Sequence, residues 1–407
     1  MANNNENKIL NVPHLRFPGF TDEWNMHKLN QLVERVTRKN KGEESKIALT
    51  ISAQYGLVDQ ETFFNNKVAS SDLSHYYLLV KGDYAYNKSY SSGYPWGAVK
   101  RLNLYEKGAV STLYICFRPF NTVDSDYIGH YFESKKWHKE VSEIAVEGAR
   151  NHGLLNISVK DFFETLHFVP SITEQKKIAA LLTLIDERIA TQNKIIDKLK
   201  SLIKGLNDKI HKDIKGEIVC FADLGEAYAG LSGKSGDDFG TGEPFITYMN
   251  VYQNTYISEI DYEFVQIAPN ERQNCVQYGD ALFTLSSETP EEVGMGAVYL
   301  GNTQKLYLNS FCFGIHIYDE RVLPRYLAHF ISSTSFRKAI YPLAQGSTRF
   351  NLQRNDFMKM RFVLPTTEEQ ERIAKTFDAL HCRLANEMSL VEQCLVLKQY
   401  LLSQMFI

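Results

Sequence analysis

The sequence has few cysteines, and they are widely spaced. No two of the six form a C-x-x-C pair. A zinc ribbon or a disulfide framework is therefore not expected, and the thiols are predicted to be reduced core residues of a cytosolic protein. The cysteines are Cys116, Cys220, Cys275, Cys312, Cys382 and Cys394.

Long hydrophobic runs are also missing. The apolar stretch at residues 178–185 is far shorter than the roughly 20 residues that a membrane-spanning helix needs. The first eight residues lack the apolar core of a signal peptide. We therefore expect a cytoplasmic protein without a membrane segment.

Charge of one sign does not dominate, because 45 basic residues face 48 acidic ones. A uniformly basic surface is thus excluded, although residues 1–215 carry a net charge of +5 and residues 216–407 a net charge of −8. A polyanion would have to be bound by one face. With 44% hydrophobic and 12% aromatic residues, the 407 residues suffice for two or three folded domains, which excludes wholesale disorder.

The chain contains an internal duplication. Residues 156–162 recur as residues 351–357, and the pattern Pro-x3-Glu-Gln-x2-Ile at residues 170–178 recurs at 365–373. All of these pairs are offset by 195 positions. Weaker pairs precede them, such as Gly-Asp at 82–83 and at 279–280. The sequence therefore predicts two copies of one unit.

A long helix is predicted at the end of each copy. Ser171-x-x-Glu174 and Thr366-x-x-Glu369 are typical of capping boxes. Beyond them, apolar residues follow a 4-3-4-3 spacing over about four heptads, which is typical of a coiled-coil seam. Each helix is predicted to span about 33 residues, or roughly 50 Å. The assigned seam positions are Ile178, Leu182, Ile185, Ile189 and Gln192 in the first copy, and Ile373, Phe377, Leu380, Leu384 and Glu387 in the second.

Because the two seams match and each carries one polar residue at the same place, we expect the helices to pair with each other in antiparallel orientation. The alternative is that each seam packs only against its own domain. A helix of that kind usually shows a wider apolar stripe.

Catalytic motifs are scarce. Residues 230–235 resemble a phosphate loop, but Tyr228 stands where that motif needs glycine. Asp126-x6-Glu133-Ser-Lys135 matches the D…E-x-K pattern of nuclease metal sites, yet it falls on a predicted amphipathic helix. No catalytic or metal-binding residue is assigned, and nuclease chemistry is the weakest hypothesis.

Polar, aromatic and glycine residues cluster instead in predicted loops of both copies. Lysine and arginine suit phosphates, and Asn, Ser, Thr, Tyr and Arg suit base edges in the major groove. These loops therefore predict DNA binding. The candidate residues of the first copy are Lys39, Lys41, Tyr86, Asn87, Lys88, Ser89, Tyr94, Trp96 and Arg150. Those of the second copy are Ser232, Lys234, Thr284, Ser286, Ser287, Thr289, Ser347, Thr348 and Arg349.

Two variable heads, each followed by the Pro-x3-Glu-Gln-x2-Ile helix, together with HLRFPGFTDEW at residues 14–24, resemble the specificity subunit of type I restriction-modification enzymes. The resemblance implies an α+β fold of two similar globular α/β target-recognition domains. Two long antiparallel helices would join them as a coiled coil with internal pseudo-two-fold symmetry. The expected bounds are 1–170 and 216–365 for the domains, and 171–215 and 366–407 for the helices, the first with its linker.

The resemblance also implies a function. The subunit has no active site and no cofactor of its own, and it reads an asymmetric, bipartite sequence of double-stranded DNA. Two modification subunits would bind S-adenosylmethionine and methylate adenine N6, and two restriction subunits would use ATP and Mg²⁺ to translocate and cleave DNA. The exposed faces of the coiled coil would receive the modification subunits. The alternative from another class is a two-headed coiled-coil scaffold that binds proteins without nucleic acid.

If the helices set the distance between the two half-sites, one residue inserted next to Gln192 breaks the heptad register. We expect the insertion to change the length of the unread spacer, or to abolish assembly, and to leave both half-sequences unchanged. Methylome sequencing of a host that carries the variant measures this. Altered half-sequences around an unchanged spacer would contradict the prediction.

Overall fold

The computed structural model describes residues 11–52, 55–65, 72–91, 93–145, 155–258 and 262–407. The chain forms two compact units. The first unit consists of Met1–Gln192 and Leu390–Ile407, and the second unit of Asn193–Ser389. Each unit therefore contains the beginning of one long helix and the end of the other.

The first unit combines short strands with helices. Its strands are β1 Asn25–Lys28, β2 Val33–Arg35, β3 Ala48–Ser52, β4 Gly56–Asp59, β5 Tyr77–Val80, β6 Tyr84–Asn87, β7 Ala98–Arg101, β8 Lys107–Val110, β9 Ile115–Pro119 and β10 Leu166–Val169. Its helices are α1 Gln60–Phe64, α2 Ser125–Glu133, α3 His138–Ile144, α4 Val159–Glu164 and the start of α5 Ile172–Asp213. Short 3₁₀ helices lie at Leu29–Gln31 and Lys41–Glu43.

The second unit repeats this mixture. Its strands are β11 Glu217–Cys220, β12 Gly225–Ala229, β13 Phe239–Ile246, β14 Tyr256–Ile257, β15 Glu263–Val265, β16 Ala281–Thr284, β17 Ser286–Ser287, β18 Gly296–Tyr299, β19 Tyr307–Leu308, β20 Cys312–Ile317, β21 Ala344–Gln345, β22 Phe350–Leu352 and β23 Arg361–Leu364. Its helices are α6 Phe221–Leu224, α7 Tyr248–Gln253, α8 Pro324–Ile331, α9 Thr334–Ile340, α10 Arg354–Met358 and the start of α11 Thr367–Gln404, with 3₁₀ helices at Gly236–Asp238, Pro290–Glu292 and Tyr341–Leu343.

The strand order confirms the duplication. The main sheet of the first unit runs β2-β9-β6-β7, and that of the second runs β12-β20-β16-β18 with β14 added at its edge. In both units the first strand pairs antiparallel with the strand before the long helix, as β1 with β10 and β11 with β23. The predicted α+β fold class is confirmed.

The repeated Gly-Asp pairs form the turns that lead into the central strands β6 and β16. The buried Asp83 carboxylate accepts a hydrogen bond from the Val80 amide at 2.8 Å, and the buried Asp280 carboxylate accepts one from the Gln277 amide at 2.8 Å. Arg38 and Arg118 neutralise Asp83. The carboxylate therefore fixes where each central strand begins.

Both long helices contribute to each core. In the first unit, Ile178 and Leu182 of α5 share one apolar cluster with Leu401 and Leu402 of α11. In the second unit, Phe377 of α11 belongs to a cluster against which the end of α5 packs through residues such as Leu206 and Ile210. Each unit thus pairs the start of one long helix with the end of the other, as expected of antiparallel helices.

The helices are longer than predicted, at 42 residues for α5 and 38 for α11. The assigned seam positions are buried or half-buried in both, including the polar Gln192 and Glu387. The capping boxes are only half formed. The hydroxyls of Ser171 and Thr366 accept hydrogen bonds from the Glu174 and Glu369 amides. The carboxylates pair with arginines instead, Glu174 with Arg16 and Glu369 with Arg372, because these arginines offer bidentate partners.

The glutamine of the repeated Pro-x3-Glu-Gln pattern has the same role in both units. Gln175 accepts a hydrogen bond from the Asp124 amide at 2.8 Å and donates one to the Pro170 carbonyl at 2.9 Å. Gln370 accepts one from the Leu323 amide at 2.9 Å and donates one to the Pro365 carbonyl at 2.9 Å. Both side chains are buried. Each glutamine therefore joins the start of a long helix to the residues just before α2 or α8.

All six cysteines are free thiols, and Cys116 and Cys312 are buried. Burial raises the pKa of both thiols to about 12. Among the helices in the described ranges, none combines the length and the hydropathy that a membrane crossing demands.

Replacing Gln175 with alanine leaves the Asp124 amide and the Pro170 carbonyl without their partner. We expect the variant to lower the free energy of unfolding of the first unit by about 1–3 kcal/mol, the cost of unsatisfied buried polar groups. Urea unfolding of the full chain measures the difference. Gln399→Ala, at an exposed position of α11, is the matched control, and equal midpoints for the two variants would contradict the assigned role.

Candidate nucleic-acid interface

In the first unit, one hydrogen-bonded contact joins the loop after β6 to the segment before α4, and these two segments form the first loop pair. The loop that follows β6 begins at Lys88, whose carbonyl accepts a hydrogen bond from the Leu155 amide at 2.8 Å. The Lys88 ammonium donates to the Ile157 carbonyl at 3.0 Å. Gly97 ends this loop with φ +77°, and a Cβ there would lie 2.1 Å from the Asn87 carbonyl oxygen. Glycine is therefore required for the loop to return to the sheet.

The second unit has a similar backbone contact, although the duplication aligns Leu155 with Phe350 and not with Leu352. The Leu285 carbonyl, which follows β16, accepts a hydrogen bond from the Leu352 amide at 2.8 Å. Strand β17 then pairs with β22, with Ser286 opposite Asn351. Gly346 forms the turn of the β21–β22 hairpin with φ +147°, and a Cβ there would lie 2.1 Å from the Arg349 carbonyl oxygen. The hairpin therefore presents residues 347–349 beside the loop after β16.

The exposure of the candidate residues divides them into three groups. Exposed are Thr289, Ser347, Thr348 and Arg349; half-buried are Asn87, Lys88, Ser89, Tyr94 and Trp96; buried are Tyr86, Thr284, Ser286 and Ser287. Arg150 lies outside the described residues. Burial leaves the side chains of Tyr86, Thr284, Ser286 and Ser287 little surface to offer DNA, so these four residues are not among the contacts proposed below. The other candidates stay predictions.

Four other candidates make their contacts with other segments of their units. The Lys39 ammonium donates to the His75 carbonyl at 2.9 Å and lies over the Tyr77 ring, and Lys41 is exposed nearby. In the second unit, Ser232 is exposed, whereas the Lys234 side chain is only 8% exposed and pairs with Glu271. The structure therefore does not gather all candidates into one surface of each unit. The charge of the Lys234 ammonium is neutralised by Glu271.

Sequence reasoning missed Phe311. Its side chain is 53% exposed, and its ring centroid lies 5.4 Å from the Arg349 guanidinium carbon. An apolar residue in a polar turn, Asn309-Ser310-Phe311, was the available signal. The turn itself is far from Arg349 in sequence, so only the fold reveals the contact.

Comparison with known proteins finds a family model that matches the second unit. Residues 215–389 match the model of the type I restriction modification DNA specificity domain. No curated protein matches the chain. The second unit is thus similar to a type I DNA specificity domain. This confirms the resemblance that the sequence suggested.

Solved structures extend the likeness to both units as a fold. A chain described for the complex assembly and conformational transition of a type I R-M system is 14% identical, with 97% of this chain and 99% of that chain covered and a TM-score of 0.58. The S subunit of a type I restriction-modification system from M. genitalium is 13% identical, with the same coverage and a TM-score of 0.51. The fold of both units is thus similar to that of these two chains from type I restriction-modification systems.

One charged cluster in the first unit of this specificity-subunit fold has the composition of a metal site. His130, Glu133 and Asp186 bring their ligand atoms within 4.8 Å of one another. However, the Lys398 ammonium lies 2.7 Å from a Glu133 oxygen and 2.6 Å from an Asp186 oxygen. Because an ammonium already neutralises both carboxylates, we interpret the cluster as an ion-pair network that holds the end of α11 against α2.

The acidic residues of the nuclease-like pattern, Asp126 and Glu133, also form ion pairs. Asp126 pairs with Arg101 at 2.6 Å, and Lys100 lies 3.8 Å from Glu133. Burial opposes ionisation of Glu133, yet the hydrogen bond with His130 and the charges of Lys398 and Lys100 lower its pKa to about 2. The carboxylates of Asp126 and Glu133 therefore form ion pairs with basic side chains of the same unit.

The repeated histidine of α2 and α8 also contacts a long helix. His130 Nε2 lies 3.1 Å from the Thr183 hydroxyl, and His329 Nε2 lies 3.0 Å from the Asp378 carboxylate. Thr183 and Asp378 are 195 positions apart, so the contact belongs to the duplication. Burial lowers the pKa of His329, although Asp378 opposes this shift.

Replacing Lys398 with methionine leaves Glu133 and Asp186 without their shared cation. Fully buried pairs lose 3–5 kcal/mol when one partner is removed, but these carboxylates are 31% and 40% exposed, so we expect a loss of about 1–3 kcal/mol at pH 7. Urea unfolding of the full chain measures it, with the exposed Lys375→Met as control.

The pH dependence provides a second check. A carboxyl with a depressed pKa stabilises the fold above its ordinary pKa, near 4.5, and loses that contribution as the pH falls toward 2. The loss caused by Lys398→Met should therefore shrink in acid, and Glu133→Gln in the same chain should restore part of the stability. A loss that does not vary with pH would contradict the network.

Proposed function

We propose that this chain is the DNA-reading subunit of a type I restriction-modification complex and that it recognises an asymmetric, bipartite target. The observation that carries the proposal is the loop pair that recurs in both units, joined by the Leu155–Lys88 and Leu352–Leu285 backbone hydrogen bonds. The match of residues 215–389 to a DNA specificity domain supports it. Each unit would read one half of the target.

The side chains on the two loop pairs differ, and this supports unequal half-sites. The first pair offers Lys88, Tyr94 and Trp96, whereas the second offers Thr289 and Arg349. Lysine ammoniums would bind phosphates, and the hydroxyl, amide and guanidinium groups would bind base edges. The buried Ser286 and Ser287 would shape the loop rather than contact bases.

We further propose that the chain is non-catalytic and cytoplasmic and holds no cofactor. Two modification subunits would bring S-adenosylmethionine and methylate adenine N6, and two restriction subunits would bring ATP and Mg²⁺ for cleavage. Because adenine N6 is methylated on a base flipped out of the duplex, the reader has to hold its target beside a partner's pocket. The paired long helices would set the length of the unread spacer.

A surface suited to the modification subunits lies on the last helix. Val396, Leu397 and Tyr400 are 65%, 47% and 56% exposed there. Exposed apolar side chains at neighbouring helical positions favour a protein partner. The docking expected of the coiled coil is thus assigned to this face.

Salt dependence tests the proposed function. The chain, co-purified with its modification subunits, is titrated with a duplex that contains the target found by methylome mapping, and with a scrambled duplex. We expect log K to fall linearly with log[salt], with a slope of about −0.9 for each phosphate contacted, and tighter binding of the target at every salt concentration. A flat response with equal affinities would refute DNA reading and favour a protein-binding scaffold.

A further inference from the structure

Arg349 lies in a small cluster at the second loop pair. Its Nε–H donates a hydrogen bond to the Ser286 hydroxyl oxygen at 3.3 Å, and its guanidinium lies over the exposed ring of Phe311. The Ser286 carbonyl accepts a hydrogen bond from the Tyr248 hydroxyl at 2.9 Å. Three segments that are distant in sequence thus converge on one arginine.

This arrangement fixes the guanidinium through one edge and one face. Ser286 uses only Nε, and Phe311 covers only a face of the planar group. The two NH₂ groups of Arg349 have no hydrogen-bond partner among the described residues, and the side chain is exposed. An arginine whose two NH₂ groups point away from its anchors presents the fork that binds two acceptors side by side.

The backbone beneath this arginine is held as well. Arg349 ends the tight turn at Gly346, and the adjoining strand β22 pairs with Ser286 and Ser287 of β17 and with β21. The hydroxyl that anchors Nε therefore belongs to a strand bonded directly to the hairpin that carries Arg349. A guanidinium held in this way loses little conformational entropy when it binds.

We propose that Arg349 reads a guanine in the half-site of the second unit, by bidentate hydrogen bonds from its two NH₂ groups to O6 and N7 in the major groove. This rests on the proposed function. Among base edges of the major groove, guanine alone offers two adjacent acceptors, and it is the usual partner of an arginine fork. Ser286 and Phe311 act as positioning residues, because they touch the arginine and not the base.

A phosphate contact is the competing role for an exposed arginine, and lysine distinguishes the two. Arg349→Lys keeps the charge but replaces the planar fork by a single flexible ammonium, so phosphate binding survives and guanine reading weakens. We expect Arg349→Lys to leave binding of scrambled DNA within about 3-fold. We expect it to reduce the preference for G·C over A·T at one position by roughly 5- to 150-fold.

The experiment uses the chain in complex with its modification subunits. Binding is measured to the mapped target and to a set of duplexes that vary one base pair at a time, for the natural protein, Arg349→Lys and Arg349→Ala. Arg361→Ala removes an equal charge at an exposed position on β23 and serves as control. Phe311→Leu and Ser286→Ala should lower discrimination at the same base pair by smaller factors and leave the other positions unchanged.

Replacing the read guanine by 7-deazaguanine removes the N7 acceptor and provides an independent readout. We expect this duplex to bind about 5- to 10-fold more weakly to the natural protein and equally well to Arg349→Lys. The proposal is overturned if Arg349→Lys behaves like the natural protein, if the relaxed position is an A·T pair, or if all positions weaken alike. If the natural protein still prefers its target in those cases, the proposed function stands and only the role of Arg349 is refuted. If the natural protein shows no sequence preference, both the role of Arg349 and the proposed function are refuted.

Discussion

The narrow apolar seam of the long helices is the constraint on which the fold of each unit depends. Apolar residues every three to four positions leave a stripe that water cannot cover favourably, and each large side chain buried there contributes roughly 1.5–3 kcal/mol. In the first unit, Leu401 and Leu402 from the end of α11 cover the start of α5. The core of the first unit is therefore incomplete without a segment more than 200 residues further along the chain. Duplication supplies both partners of the pairing, because each copy ends in the same helix.

Buried polar groups then decide where the helices attach. Gln175 and Gln370 each bridge a helix start to the backbone just before α2 or α8, and Asp83 and Asp280 fix the turns into the central strands. A shift of one residue would leave these groups unsatisfied at about 1–3 kcal/mol each. Apolar packing tolerates small displacements, whereas these contacts do not. The loops after β6 and β16 thus emerge at defined places.

The repeat made the helices, the closing strands and the turns predictable, because equal residues 195 positions apart perform equal structural tasks. The seam residues followed from periodicity, and so did the amphipathic helix α2, in which Tyr127 and Tyr131 are buried. Contacts between surface side chains were harder to predict. Periodicity cannot show that Lys234 pairs with Glu271, that Lys398 pairs with Glu133, or that Phe311 lies under Arg349. Each of these contacts joins segments that the sequence keeps far apart, so only the three-dimensional fold brings them together.

The loop pairs show why two copies of one frame are able to carry different recognition surfaces. The contact that joins each pair runs from a backbone amide to a backbone carbonyl, Leu155 to Lys88 in one unit and Leu352 to Leu285 in the other. Such a bond needs an amide hydrogen on one side and nothing particular of either side chain. Lysine and leucine at the accepting position are therefore equivalent for the frame, although one is cationic and the other apolar. The frame keeps its geometry while the groups that it presents diverge, and this separation lets one duplicated chain hold two unequal surfaces.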